Sequence, residues 1–445
     1  MSDRPGVEPP GPWLQPLPTE ETLSNGVRLL RMHLPGQQVI SARLMVPVTL
    51  ADEERVHEGV SVMMARLLDE GAGDLDAEAF AAALERHGAA LGASAVEGGL
   101  SVDLDVPVRH LSGALRLMAD AVGRPTFPEE EVRRVLRNRL AEIDYETASA
   151  PHRAGRELIA TLWDPASRAA RPAAGTPSTI GALTRSAIVE RHAALAAAGG
   201  ALVIAGDLQG IDVREAVEGS VGEWTGSGPA AAEPAAALPR LDGPTVVVVD
   251  RPGSVQSELA IGAPAPGRAD PSWAAYPVMA YLLGGSPGAR IDAVLREDKG
   301  YTYGIRAAMR PRAIGGSFAV TGSVRTEVTA EALDLLRGIL ADTVNGFSRA
   351  ELATGVDFIT RATPGRWATA DVIADELSAL TLERLPMDFP SLTLRAMRRL
   401  APDQVTEAAA AVASSVCSTV IVGDADAIID DVRALGIGEV HVVTD

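Results

Sequence analysis

Four short segments of this 445-residue chain recur in the same order at nearly one spacing. Met64-Ala65-Arg66-Leu67-Leu68 returns as Met279-Ala280-Tyr281-Leu282-Leu283, and Ala114-Leu115-Arg116-Leu117-Met118 returns as Ala332-Leu333-Asp334-Leu335-Leu336. Phe127 with Glu131-Val132 returns as Phe347 with Glu351-Leu352, and Val203-Ile204-Ala205-Gly206-Asp207 as Val420-Ile421-Val422-Gly423-Asp424. The offsets are 215, 218, 220 and 217 residues. One match of this kind is weak; four in order mean two copies of one structural plan.

Each copy opens on β-rich segments (Val39–Val48; Thr245–Asp250 and Glu258–Ala263), continues through long helical patterns such as Phe127–Ala148, and ends on a short apolar strand. Strands mixed with blocks of helix predict an α+β chain of two homologous α/β sandwich domains. The expected divisions are a Pro-rich flexible arm over 1–19, an N-terminal domain over 20–225, a linker over 226–243 and a C-terminal domain over 244–445. The arm carries six prolines in its first 18 residues and reads as extended and solvated. The linker, rich in Ala, Pro and Gly, reads as a flexible hinge.

With 40 Lys+Arg against 59 Asp+Glu, the formal charge is −19. Phosphate binding needs a basic face, so the charge argues against nucleic acid, and likewise against anionic lipid. Basic or neutral peptides suit such a field, although acidity for solubility explains the charge equally well. The single cysteine, Cys417, excludes an intrachain disulfide framework and points to a reducing compartment, hence a cytoplasmic protein. Standing before the apolar strand Thr419–Val422, it reads as a small packed residue rather than a nucleophile. No apolar run reaches the length of a membrane span, and no secretory signal is visible.

The seven histidines include no pair four residues apart, so no helix presents two imidazoles to a metal. His57-Glu58 imitates the start of H-E-x-x-H, but the second His position is Ser61. The Gly pairs at 284–285 and 315–316 lack a strand–loop–helix phosphate cradle, and Ser286 lacks a nucleophile elbow. The informative stretch is Leu282–Gly304. A helix from about Ala289 to Asp298, capped by a left-handed Gly300, would lead through Tyr301-Thr302-Tyr303 into a strand. Arg296 and Tyr303 would then converge, offering donors suited to a peptide carbonyl whose oxygen gains charge. The competing reading pairs Arg296 with Asp298 or Glu297 and half-buries Tyr303 in the sheet.

The chain resembles the insulinase/pitrilysin family of zinc metallopeptidases, particularly its processing-peptidase branch, over roughly residues 20–445. The resemblance rests on Asn25-Gly26-Val27-Arg28, the Gly59 to Gly71 segment, His87-Gly88, Pro125-Thr126-Phe127-Pro128, Ala205-Gly206-Asp207 and, most specifically, Leu282–Gly304. It implies that Arg296 and Tyr303 match the family's pair that binds substrate and stabilises the oxyanion. It also implies that each chain forms half of a clam-shell chamber. Active members carry zinc on H-x-x-E-H. Here those positions read Val62-Met63-Met64-Ala65-Arg66, so Val62, Ala65 and Arg66 cannot serve. Glu142 falls near the family's downstream ligand, but one carboxylate does not hold zinc, and a salt-bridge role on a long helix is the expected one.

No metal is therefore expected in this chain, and zinc is expected in a homologous partner that carries H-x-x-E-H. The resemblance implies the non-zinc subunit of a heterodimeric bacterial peptidase, completing its partner's active site with Arg296 and Tyr303. A peptide is the implied substrate, with leader or short-peptide processing as the kind of task. The alternative is a non-enzymatic structural or peptide-binding scaffold subunit. An independent zinc peptidase conflicts with Val62, Ala65 and Arg66.

Overall fold

A computed structural model describes residues 13–226, 228, 235–240, 243, 245–312, 314–415 and 418–444. Cys417 and the first 12 residues of the arm lie outside the described residues. Six strands build the first sheet: β1 (Thr19–Thr22), β2 (Arg28–His33), β3 (Val39–Val46), β4 (Ala90–Val96), β5 (Gly99–Pro107) and β6 (Ala201–Gly206). Six build the second: β7 (Thr245–Asp250), β8 (Gln256–Ala265), β9 (Arg306–Pro311), β10 (Gly316–Arg325), β11 (Ser418–Gly423) and β12 (Glu439–Val443). The orders are β1-β2-β6-β3-β5-β4 and β12-β7-β11-β8-β10-β9. Five of the six positions correspond at an offset near 217, with β6 repeating as β11 and β3 as β8.

The sixth position breaks the repeat. It is filled from the chain's start in the first sheet, by β1 antiparallel to β2. In the second it is filled from the chain's end, by β12 parallel to β7. The half-exposed β12, lying beyond the apolar strand expected to close the second copy, carries no strong sequence signal.

Each sheet packs its inner face on helices of its own half. Ile40, Ala42, Leu44 and Val46 of β3 enter that core in the first half, and Leu259, Ile261 and Ala263 of β8 in the second. The opposite faces are covered by exchange. The helix Ala150–Leu162, from the first half, lays Ala154, Leu158 and Leu162 on Val247, Val249, Val420 and Val422 of the second sheet. Its repeat, Ala370–Leu382, lays Ile373, Ala374, Leu377 and Leu380 on Leu30, Met32, Met45 and Val203 of the first. Gly262 permits the close approach, since a Cβ there would stand 3.0 Å from Leu158 and Leu162 methyl carbons.

This exchange corrects the expectation of a free hinge. The segment after the first half is pinned at both ends. Ala197 N–H donates to Thr225 at 3.1 Å, Asp164 N–H donates to Leu238 at 2.8 Å, and Arg240 N–H donates to Leu162 at 2.9 Å. The arm is corrected too. Trp13 packs against Trp367, with ring centroids 5.9 Å apart. The buried Gln15 donates its backbone N–H to Ser391 Oγ (2.8 Å) and its amide to Met387 O (2.6 Å). From Trp13 onward, therefore, the first residues are anchored on the second half.

Truncating a crossing side chain leaves a cavity in the other half's sheet packing. Leu377→Ala should cost about 2–5 kcal/mol. It should also speed hydrogen exchange in β3 and β6 of the first sheet, although Leu377 belongs to the second half. Accelerated exchange confined to residues after 244 would contradict the coupling.

Candidate functional site

The first cluster surrounds the short helix Val60–Ala65. Its start is fixed by Glu53, whose carboxylate accepts from Ser61 N–H at 2.9 Å and Gly59 N–H at 3.2 Å and also pairs with Arg168 at 2.9 Å. Gly59 has φ +100°, and a Cβ there would stand 2.9 Å from the Gly175 nitrogen, so only glycine fits. Glu58 is buried and paired with Arg171 at 2.7 Å, so His57-Glu58 marks a structural ion pair. Val62 is half-buried and Ala65 is buried.

Arg66 ends this helix and reaches Glu142 on the helix Glu129–Ala148, its Nη1 donating to the two carboxylate oxygens at 2.8 and 2.9 Å. Arg139 donates to the same carboxylate at 3.1 Å, and to Glu146 at 2.7 and 2.9 Å. Partial burial pushes the Glu142 carboxyl up, but the hydrogen bonds from Arg66 and Arg139 outweigh it and hold the group below its ordinary range. A guanidinium thus occupies the carboxylate that the resemblance places among the zinc ligands. Two hydrocarbon side chains, a cation and an occupied carboxylate do not fit that metal. Among the described residues, no group of three His, Cys, Asp or Glu side chains is placed to hold one.

The second cluster is the Arg/Tyr segment. Arg290–Asp292 forms one α-turn, and Ala293–Asp298 then widens into a π-helix, with Lys299 N–H reaching back five residues to Val294 O at 3.0 Å. Gly300, at φ +62°, ends it as expected. Tyr301 N–H returns to Leu295 O at 2.9 Å, a helix-ending bond stretched by one residue relative to an α-helical cap.

The strand starts later than expected, at Arg306, so Tyr303 stands in the connecting loop and not at a strand start. Tyr303 is 95% exposed, and its hydroxyl has no hydrogen-bond partner among the described residues. Arg296 is partly exposed and loosely paired, 3.6 Å from Glu297 and 3.9 Å from Asp292. Arg296 and Tyr303 therefore share one short segment without touching.

Asp292, missed in the sequence, organises that segment. Fully buried, it accepts from Ile305 N–H at 3.1 Å and Arg306 Nη1 at 2.6 Å, so it ties the helix to the chain just beyond Tyr303. Its one sequence signal is a charged residue between apolar Ile291 and Val294 on a helix otherwise packed into the core.

Rebuilding the family's zinc motif tests the first cluster. Val62→His, Ala65→Glu and Arg66→His together should free Glu142 and create a site binding about one zinc per chain. The unaltered chain should bind none by equilibrium dialysis; stoichiometric zinc there would contradict the assignment. Because Glu142 titrates lower when folded, its ion pair contributes above the ordinary carboxylate range and is lost as pH falls through the depressed value. Both partners are about two-fifths exposed, so Arg66→Ala should cost under about 1 kcal/mol at pH 7. The Tm gap to wild type should close in acid; an equal gap at pH 7 and pH 3 would contradict it.

Comparison with known proteins fits these observations. Residues 28–171 match the family described as Insulinase (Peptidase family M16), and residues 197–357 match the one described as Peptidase M16 inactive domain. The chain is similar to an uncharacterized zinc protease of Mycobacterium leprae (strain TN), 24% identical over 335 residues, which is 74% of each protein. Its fold resembles a peptidase M16 inactive domain from Pseudomonas fluorescens, with TM-score 0.83, 24% identity, and 92% of this chain and 98% of that one covered. It also resembles a protease from Helicobacter pylori, with TM-score 0.83, 18% identity and 92% and 100% covered. A chain of Complex III2 from Candida albicans aligns with TM-score 0.77 at 13% identity, covering 93% and 98%. With both halves matched in order, the chain belongs to the insulinase-type (M16) peptidase family.

Proposed function

We propose that this chain is the non-zinc subunit of a heterodimeric zinc peptidase. In this reading a homologous H-x-x-E-H chain brings the metal, and this chain brings Arg296 and Tyr303. The observation that carries it is the contrast between the two clusters. The zinc positions are sealed by an ion pair between Arg66 and Glu142, while the Tyr303 phenol stands 95% exposed on a loop tied down by Gly300 and the buried Asp292.

A phenol and a guanidinium on a held surface segment are suited to a substrate carbonyl supplied from outside the chain. Each donates a hydrogen bond to an oxygen that gains negative charge as the peptide bond is attacked. No described partner claims the Tyr303 hydroxyl, and the pairings of Arg296 at 3.6 and 3.9 Å are long enough to exchange for a substrate oxygen. Leader or short-peptide processing in a bacterial cytoplasm is the corresponding task. No helix among the described residues is long and apolar enough to cross a membrane.

The test uses the assembled pair of chains. Tyr303→Phe should lower kcat on a quenched fluorescent peptide by about 10²–10³-fold, the scale for one oxyanion donor, and leave assembly intact. Arg296→Ala should lower kcat/KM in the same assay. Full activity in both variants would overturn the assigned roles and leave a structural or peptide-binding scaffold subunit.

A further inference from the structure

The two halves correspond strand by strand, but the packing on the inner face of the second sheet departs from that of the first. The helix repeat that sets Ala114 against Ala332 also sets Ala119 against Arg337 and Gly123 against Ala341. The offset of 217 that joins β6 to β11 sets His192 against Ala409 and Leu195 against Val412. In the first half two rings stand here. Trp224 packs on Gly123, where a Cβ would come 3.1 Å from the indole Cδ1, and His192 Nε2 lies 2.7 Å from Val122 O. The second half keeps the seat without either ring. Alanine stands at 341 and 409, and the chain beyond Phe389 holds no Phe, Tyr or Trp. Arg337, Ala341, Ala409 and Val412 instead line a cavity of about 430 Å³.

The floor of this cavity carries a hydroxyl. Thr419 of β11 pairs with Ile261 of β8, as Leu202 of β6 pairs with Leu44 of β3, so Thr419 stands where the first core has a leucine. It is 8% exposed, lines the cavity, and its hydroxyl has no hydrogen-bond partner among the described residues. The other hydroxyls of the wall are spent on backbone carbonyls. Thr343 donates to Leu340 O at 2.7 Å, and Ser414 and Ser415 donate to Ala411 O at 3.2 and 2.7 Å.

The rim carries a charge. Arg337, on the helix Thr329–Asp342, is the single charged residue among the described lining residues. It is exposed and has no ion-pair partner among the described residues. In a chain of net charge −19, a cation left unpaired at an apolar cavity favours an anionic guest.

We propose that this cavity binds a small aromatic carboxylate that carries a hydroxyl at its far end. The ring takes the place that Trp224 and His192 hold in the first half. The carboxylate pairs with Arg337 at the mouth, where a guanidinium offers two parallel N–H donors. The far hydroxyl meets Thr419, whose burial without a partner is otherwise costly. The volume lies within the range of small-ligand sites. The site belongs to this chain alone and does not depend on the partner-subunit reading.

Isothermal titration of the full chain with para-hydroxyphenylpropanoate, with its amide and with phenylpropanoate tests it. The hydroxy acid should bind at least about tenfold tighter than the amide, which lacks the charge for Arg337. It should bind about fivefold tighter than phenylpropanoate, which leaves Thr419 unpaired. Arg337→Gln, at an exposed position, should keep Tm and erase the preference for acid over amide. Thr419→Val should erase the preference for the phenol. Ala409→Trp, which returns a ring to the seat, should abolish binding; if that variant fails to fold, Arg337→Gln still decides. No binding of the hydroxy acid up to about 10 mM, a weakness beyond a specific site, would overturn the proposal. Equal affinity for the three compounds, either preference surviving its variant, or binding retained in folded Ala409→Trp would overturn it too.

Discussion

A sheet buried on both faces needs two covers, and each half of this chain supplies only one to its own sheet. The second cover comes from the other half, through Ala150–Leu162 in one direction and Ala370–Leu382 in the other. Apolar area is removed from water only when both halves are present, so the exchange makes them one cooperative body. The rest of the molecule follows from it. The Glu129–Ala148 helix, which carries Glu142, leads directly into the crossing helix.

The Arg66–Glu142 cluster shows how a partly buried carboxylate is satisfied from within the chain. Glu142 is partly buried, and an unpaired carboxylate there would be poorly satisfied. Arg66 supplies the positive charge from another helix, and Arg139 reinforces it from the preceding turn of Glu142's own helix. On the opposite half, an exposed phenol and a loosely paired guanidinium sit on a segment held by buried Asp292. The first cluster is internally paired, while the second keeps its phenol facing outward.

Much of this plan was legible in the sequence, because repeats and alternating apolar strands are local signals. The repeat offsets, β3, β7 and β8, the Gly300 cap and the Arg66 substitution all appear in runs of a few residues. What was missed depends on contacts across long separations. The helix exchange joins residues more than 80 positions apart, and an amphipathic pattern does not say whose sheet a helix covers. The anchoring of Gln15 on Met387 and Ser391 is equally remote, and proline content alone suggested a solvated arm. Asp292 was passed over because burial of a carboxylate inside an apolar run is a tertiary fact. The π-helical widening after Asp292 delayed the strand and moved Tyr303 from a strand start into the loop.

The central claim is that the catalytic constellation is divided between two chains. The direct measurement is a titration of this chain into a zinc-bearing H-x-x-E-H homologue from the same genome, following peptide cleavage. The account predicts activity that is absent from either chain alone and saturates near one-to-one. A homologue that is fully active by itself and unaffected by this chain would contradict it.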